Sequence, residues 1–107
     1  MSVKRGALEN CPKSVLAAFK ELDAVLPVVR RVHGGAHPEL EKVGWLVGNL
    51  HARLSEGTDR SELNRILDQL REVTGGYTAP SDACEGFQKE YQLLSQIDAG
   101  IRTEVKS

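Results

Sequence analysis

A chain of 107 residues with 14 basic and 15 acidic side chains and a formal net charge of −1 has room for one domain and one modest core. The near-balanced charge, with no Lys/Arg block, lacks the electrostatic footprint of a nucleic-acid or anionic-membrane binder. The opening MSVKRGALENC has no apolar run of signal-peptide length, and no segment approaches the roughly 20 apolar residues of a membrane span, so a soluble, cytoplasmic protein is expected.

Pro12 suits the first turn of a helix, and Val15, Phe19, Leu22, Leu26 and Val29 follow at alternating spacings of four and three, which makes one buried stripe. Pro27 lies within the stripe and predicts a kink, because it removes an amide donor and crowds the preceding turn. Gly34 and Gly35 then stop the helix. Pro38 opens a second one, whose stripe of Leu40, Val43, Val47, Leu50 and Leu54 ends at Gly57. Asp59 and Glu62 have the spacing of a capping box, with Asp in place of Ser or Thr, ahead of Leu63, Ile66, Leu67, Leu70 and Val73. Gly75 and Gly76 close this third helix, and YTAPSDA carries turn chemistry before Ser81 or Asp82 caps a fourth. Its stripe is Cys84, Phe87, Tyr91, Leu94, Ile97 and Ile101. No strand-like alternation competes. The expectation is an all-α, up-down-up-down antiparallel four-helix bundle in a single domain over 1–107, with helices at about 12–33, 38–55, 60–74 and 82–104.

In such a bundle His33, His37, Gly75, Gly76, Tyr77 and Cys84 share one end, and Cys11 sits at the other. At about 1.5 Å per residue, helix one separates the two cysteines by roughly 30 Å, beyond the roughly 7 Å over which a disulfide can form. Reduced thiols are therefore expected.

The stretch RRVHGGAHPELEKVGWL, and after it LDQLREVTGGYTAPSDACEGFQKEYQLL, resemble the hemerythrin-like domain of the di-iron iron-sulfur cluster repair family. That family's first helix closes with a V-H-G-x-x-H-P-E-L type of turn. Its third ends in L-R-x-x-T-N-x-Y-T-P-P-x-D-A-C before F-x-x-x-Y. The likeness runs from about Ala18 to about Ile101, and it implies a hemerythrin-like bundle with iron at the end opposite His33 and Cys84. Counted along the motifs, however, the family's ligand positions fall near Pro12, in the turn at SEGTD, at Arg60 and at Glu104, and none holds a family ligand. Only three histidines are present in the whole chain, too few for such a centre. The resemblance therefore implies shared fold and descent with the di-iron site lost, and no cofactor.

Other candidates come from the residues themselves. His33, His37 and Cys84 could together hold iron, zinc or haem, since imidazole and thiolate suit those metals. Alternatively His33 serves the negative pole of helix one, His37 merely precedes Pro38, and Cys84 is a small core residue. A third reading makes Cys84 a thiol activated by the start of helix four. Iron shared between subunits, with Glu104 among its ligands, is a further alternative. His51 reads as a solvated residue, as do the acidic residues Glu21, Asp23, Glu39, Glu41, Glu62, Asp68, Glu72 and Glu90. No nucleophile elbow, phosphate loop or acid/base pair appears, so no enzyme is expected.

Gly44, Trp45 and Gly48 flank a stripe that is already complete, and each glycine in a helix interior costs about 1 kcal/mol relative to alanine. They mark either a surface for a protein partner or a second copy, or a close approach within the monomer. Shortened helices would also leave Leu54, Leu63 and Ile101 partly uncovered, to be hidden by pairing of two chains. The expected role is a non-enzymatic binding, regulatory or assembly module. The alternative is a small metalloprotein of iron-sulfur cluster repair or nitrosative stress.

Overall fold

The computed structural model describes residues 13–57 and 59–104, with side chains through Arg102. Four helices run in chain order: α1 (Lys13–His33), α2 (Glu39–Glu56), α3 (Arg60–Val73) and α4 (Glu85–Glu104). Among the described residues there is no strand, and no helix is long and apolar enough to cross a membrane. Cys11, and Pro12 as a helix start, lie outside the described residues.

The apolar stripes account for the packing. Every stripe residue of α2, and all of the α3 stripe except Val73, is buried, and the four helices share one apolar core. Each fully buried Leu or Phe contributes about 1.5–3 kcal/mol, far more than the tenths that separate good helix formers, so tertiary burial holds these helices. Side-chain neighbours set how the helices lie. A Cβ on Gly86 would touch Val29 and one on Gly100 would strike Val15, so α4 lies against α1 along most of its length. Phe19 of α1 stacks on His51 of α2 with ring centroids 4.6 Å apart. Arg71 and Asp68 of α3 pair with Asp98 and Arg102 of α4 at 2.8 Å each.

Local signals place the boundaries. α1 continues unbroken through Pro27. Gly57 ends α2 in the left-handed region at φ 81°, and its amide closes on the Arg53 and Leu54 carbonyls. Asp59 caps α3 by accepting from the Glu62 amide at 3.1 Å. The reciprocal half of the capping box is not formed, because the Glu62 carboxylate turns to Arg65 at 3.6 Å.

Three expectations are corrected. α4 begins at Glu85 rather than 82, since Asp82 directs its carboxylate to His37 instead of capping, and the first helical bond runs from the Gln88 amide to the Cys84 carbonyl. Leu54, Leu63 and Ile101 are at most 1 % exposed, so nothing there needs hiding by a second chain. His51 is not solvated but half-buried against Phe19.

Candidate functional site

The turn between α1 and α2 exists because Gly34 lacks a side chain. Its amide donates to the Arg30 carbonyl at 2.8 Å, and a Cβ would collide with that same oxygen. The chain then doubles back, with the Ala36 and His37 amides both donating to the His33 carbonyl at 3.1 and 2.9 Å. A second turn, closed by the Ala83 amide on the Pro80 carbonyl, carries Asp82 and Cys84 to the same place.

Here His33 Nε2 lies 3.0 Å from Cys84 Sγ. Cys84 is free and exposed, which overturns its reading as a core residue: it stands one residue ahead of α4, where the stripe has not yet entered the helix. His37 places Nδ1 3.1 Å from Glu39 Oε2 and Nε2 3.0 Å from Asp82 Oδ2. The bland reading of His37 is therefore also replaced, because both ring nitrogens are engaged. The hydrogen bond to Asp82 is the main cause that raises His37 above its ordinary value, opposed by partial desolvation and aided by Glu39. The same bond holds the Asp82 carboxyl below its usual range. Phe87 forms the floor, with its ring centroid 5.2 Å from each histidine.

The geometry thus joins His33 to Cys84 and His37 to two carboxylates, while the two histidine rings stay 6.5 Å apart. An imidazole at that distance from a thiol can exchange a proton with it, which is the basis of thiol nucleophile activation. Among the described residues no group of three or more His, Cys, Asp or Glu side chains is arranged to hold a metal ion. Arg60, which the resemblance sets at the helix-three ligand position, has its Nη2 buried without a hydrogen-bond partner among the described residues. The side chain of Glu104 lies outside the described residues.

Two acidic residues of α4 escaped sequence reasoning. Asp98, only 2 % exposed, accepts from Arg71, Arg102 and the Tyr77 hydroxyl. Glu90, read as solvated, is completely buried. Position within the helix was the available signal, since Glu90 and Asp98 fall beside Tyr91 and Ile97 on the apolar face.

On α2, Trp45 is 65 % exposed and Gly48 faces open space. Gly44 meets only the tip of Arg30, at 3.4 Å from a would-be Cβ, so neither glycine serves a close backbone approach within the described chain.

No protein-family model matches the chain, and no curated protein or solved structure is significantly similar to it. The likeness to the iron-sulfur cluster repair family rests on its two motifs.

Proposed function

We propose that the chain is a non-enzymatic binding, regulatory or assembly module of the cytoplasm, an up-down-up-down bundle of hemerythrin-like descent that has lost its di-iron end and works through protein contact at α2. Trp45 carries this reading: a large aromatic ring two-thirds exposed on a helix, beside a glycine that opens to solvent, is the composition of an interface anchor. The neighbour pairs Val29–Gly86, Phe19–His51 and Arg71–Asp98 support the antiparallel arrangement. The buried Arg60 Nη2, without a hydrogen-bond partner among the described residues, supports the loss of metal at the opposite end. Light scattering over a wide concentration range tests the simplest case, a second copy as partner. A dimer weakened by Trp45→Ala is expected, and a monomer at every concentration would remove self-association.

A second reading keeps chemistry at the other end. The 3.0 Å contact of His33 with Cys84 favours a thiol–imidazole site, or a small iron or zinc protein using His33, Cys84 and a His37 released from its carboxylates. Metal analysis of anaerobically purified, chelator-free protein distinguishes the two. Stoichiometric iron or zinc lost on His33→Ala or Glu104→Ala would overturn the non-metal proposal.

A further inference from the structure

Glu90 stands on the core side of α4, between Phe87 and Leu94, with no solvent exposure. Neither carboxylate oxygen has a hydrogen-bond partner among the described residues. Asp98, two turns further along the same helix, is buried almost as fully and yet bonded by two arginines and a tyrosine. The contrast decides the charge state, because an ionised carboxylate without donors is strongly disfavoured in an apolar interior while a neutral carboxyl is tolerated.

The paired charged groups of the surrounding helices are engaged elsewhere, and Lys20 and Arg31 of α1 and Lys42 of α2 are exposed. Lys89 on α4 reaches Glu21 of α1 at 3.7 Å. Arg30 of α1 pairs with Glu41 of α2 at 3.7 Å, Glu39 of α2 faces His37, and Arg71 of α3 holds Asp98. Asp23 of α1 is exposed, and Tyr91 follows Glu90 in the chain. Burial alone pushes the Glu90 carboxyl up to about 7.

Across the seam, Val29 lies against Gly86 and Glu21 pairs with Lys89, so Glu90 is level with the stretch of α1 between Glu21 and Val29. That stretch contains Pro27, which has no amide hydrogen and deprives the Asp23 carbonyl of its helical donor. The turn of α1 that lacks one helical bond is thus level with the uncompensated acid, with Asp23 and Pro27 on its exposed side.

We propose that Glu90 is a proton-operated latch on the α1–α4 seam. Neutral, it lets the first turns of α4 close on α1. Ionised, it opens that seam, α1 yields at Pro27, and Cys84 parts from His33. The closed form holds its proton up to about pH 7, whereas a hydrated glutamate releases it near 4.5, so closure is favoured in acid and weakens as pH rises between those values. The ratio of closed to open protein falls by up to roughly 300-fold across the interval.

Amide hydrogen exchange, corrected for the intrinsic effect of pH, tests this on the wild-type chain and Glu90→Gln at pH 5, 6, 7 and 8. In the wild type, amides of residues 22–33 and 87–97 should lose protection as pH rises while those of 40–54 and 63–70 keep it, and in Glu90→Gln the loss should shrink to what weakening of the His37–Asp82 pair contributes. The same loss in the variant, constant protection in the wild type, or an equal loss in all four helices would each overturn the latch. Carboxyl-carbon NMR of wild-type Glu90 gives a measure independent of any variant. A midpoint near 7 is expected, and one near 4.5 with protection retained would overturn the proposal.

Discussion

Tyr77 donates its phenolic hydrogen bond to Asp98 across 2.6 Å, and it does so from a backbone held in the left-handed region at φ 63°. That conformation costs a non-glycine residue about 1–3 kcal/mol and persists only where the surroundings enforce it. Gly75 and Gly76 precede it at φ 61° and 75°, and the Thr74 hydroxyl accepts from the Tyr77 amide at 2.9 Å. Asp98 is therefore the point at which α3, its closing turn and α4 meet. Asp98→Asn should lower the unfolding free energy by about 3 kcal/mol, and Tyr77→Phe by about 1–2 kcal/mol, in urea titrations at neutral pH. Burial raises the Asp98 carboxyl, but its bonds to Tyr77, Arg71 and Arg102 outweigh burial and leave it below its ordinary 3.8. Its contribution is thus complete above that value and disappears as pH falls through the lower folded one. Asp98→Asn should accordingly lose part of the acid dependence seen in the wild type.

The two glycines between His33 and His37 should respond oppositely to substitution. Gly34→Ala drives a methyl group into the Arg30 carbonyl and should destabilise by about 1–3 kcal/mol. Gly35 has open space around its Cβ position and no positive φ, so Gly35→Ala should stabilise by about 0.4–1 kcal/mol through the unfolded chain. Thermal melts of both variants decide this, and equal effects would contradict the turn geometry.

Gly100 is the corresponding contact between α4 and α1. A Cβ there strikes Val15 Cγ2, so Gly100→Ala should cost about 1–3 kcal/mol despite improved helix propensity. Val15→Ala removes the obstructing methyl groups. The double variant should therefore be less destabilised than the sum of the singles by about 0.5 kcal/mol or more in a double-mutant cycle.

Gly48 separates monomer stability from association. In the free chain Gly48→Ala meets nothing and should stabilise the helix by about 1 kcal/mol. If α2 pairs with a second chain around Trp45, the same methyl group should weaken that pairing while the melting temperature of the monomer rises. Sedimentation and calorimetry on one sample read both quantities.

Much of the architecture was written in local patterns. The stripes from Val15 to Ile101, the stops at Gly34 and Gly57 and the Asp59 cap all depend on nearest neighbours along a helix, so residue types and spacings suffice to read them. Helix four was misplaced by three residues because Asp82 had two uses, as a cap or as the partner of His37, and only the tertiary arrangement chose between them.

The side-chain chemistry was decided in space. Residue type alone does not distinguish Glu90 from Glu72, since both are acidic residues beside apolar ones; only helical position sets Glu90 three residues after Phe87 and four before Leu94, and it is completely buried while Glu72 is exposed. Likewise His33 and Cys84 lie 51 positions apart, and their 3.0 Å contact requires two turns to arrive at one point. Local periodicity can specify which face of a helix is apolar. Whether an acid on its margin finds two arginines, as Asp98 does, or no partner among the described residues, as with Glu90, depends on which helices pack there.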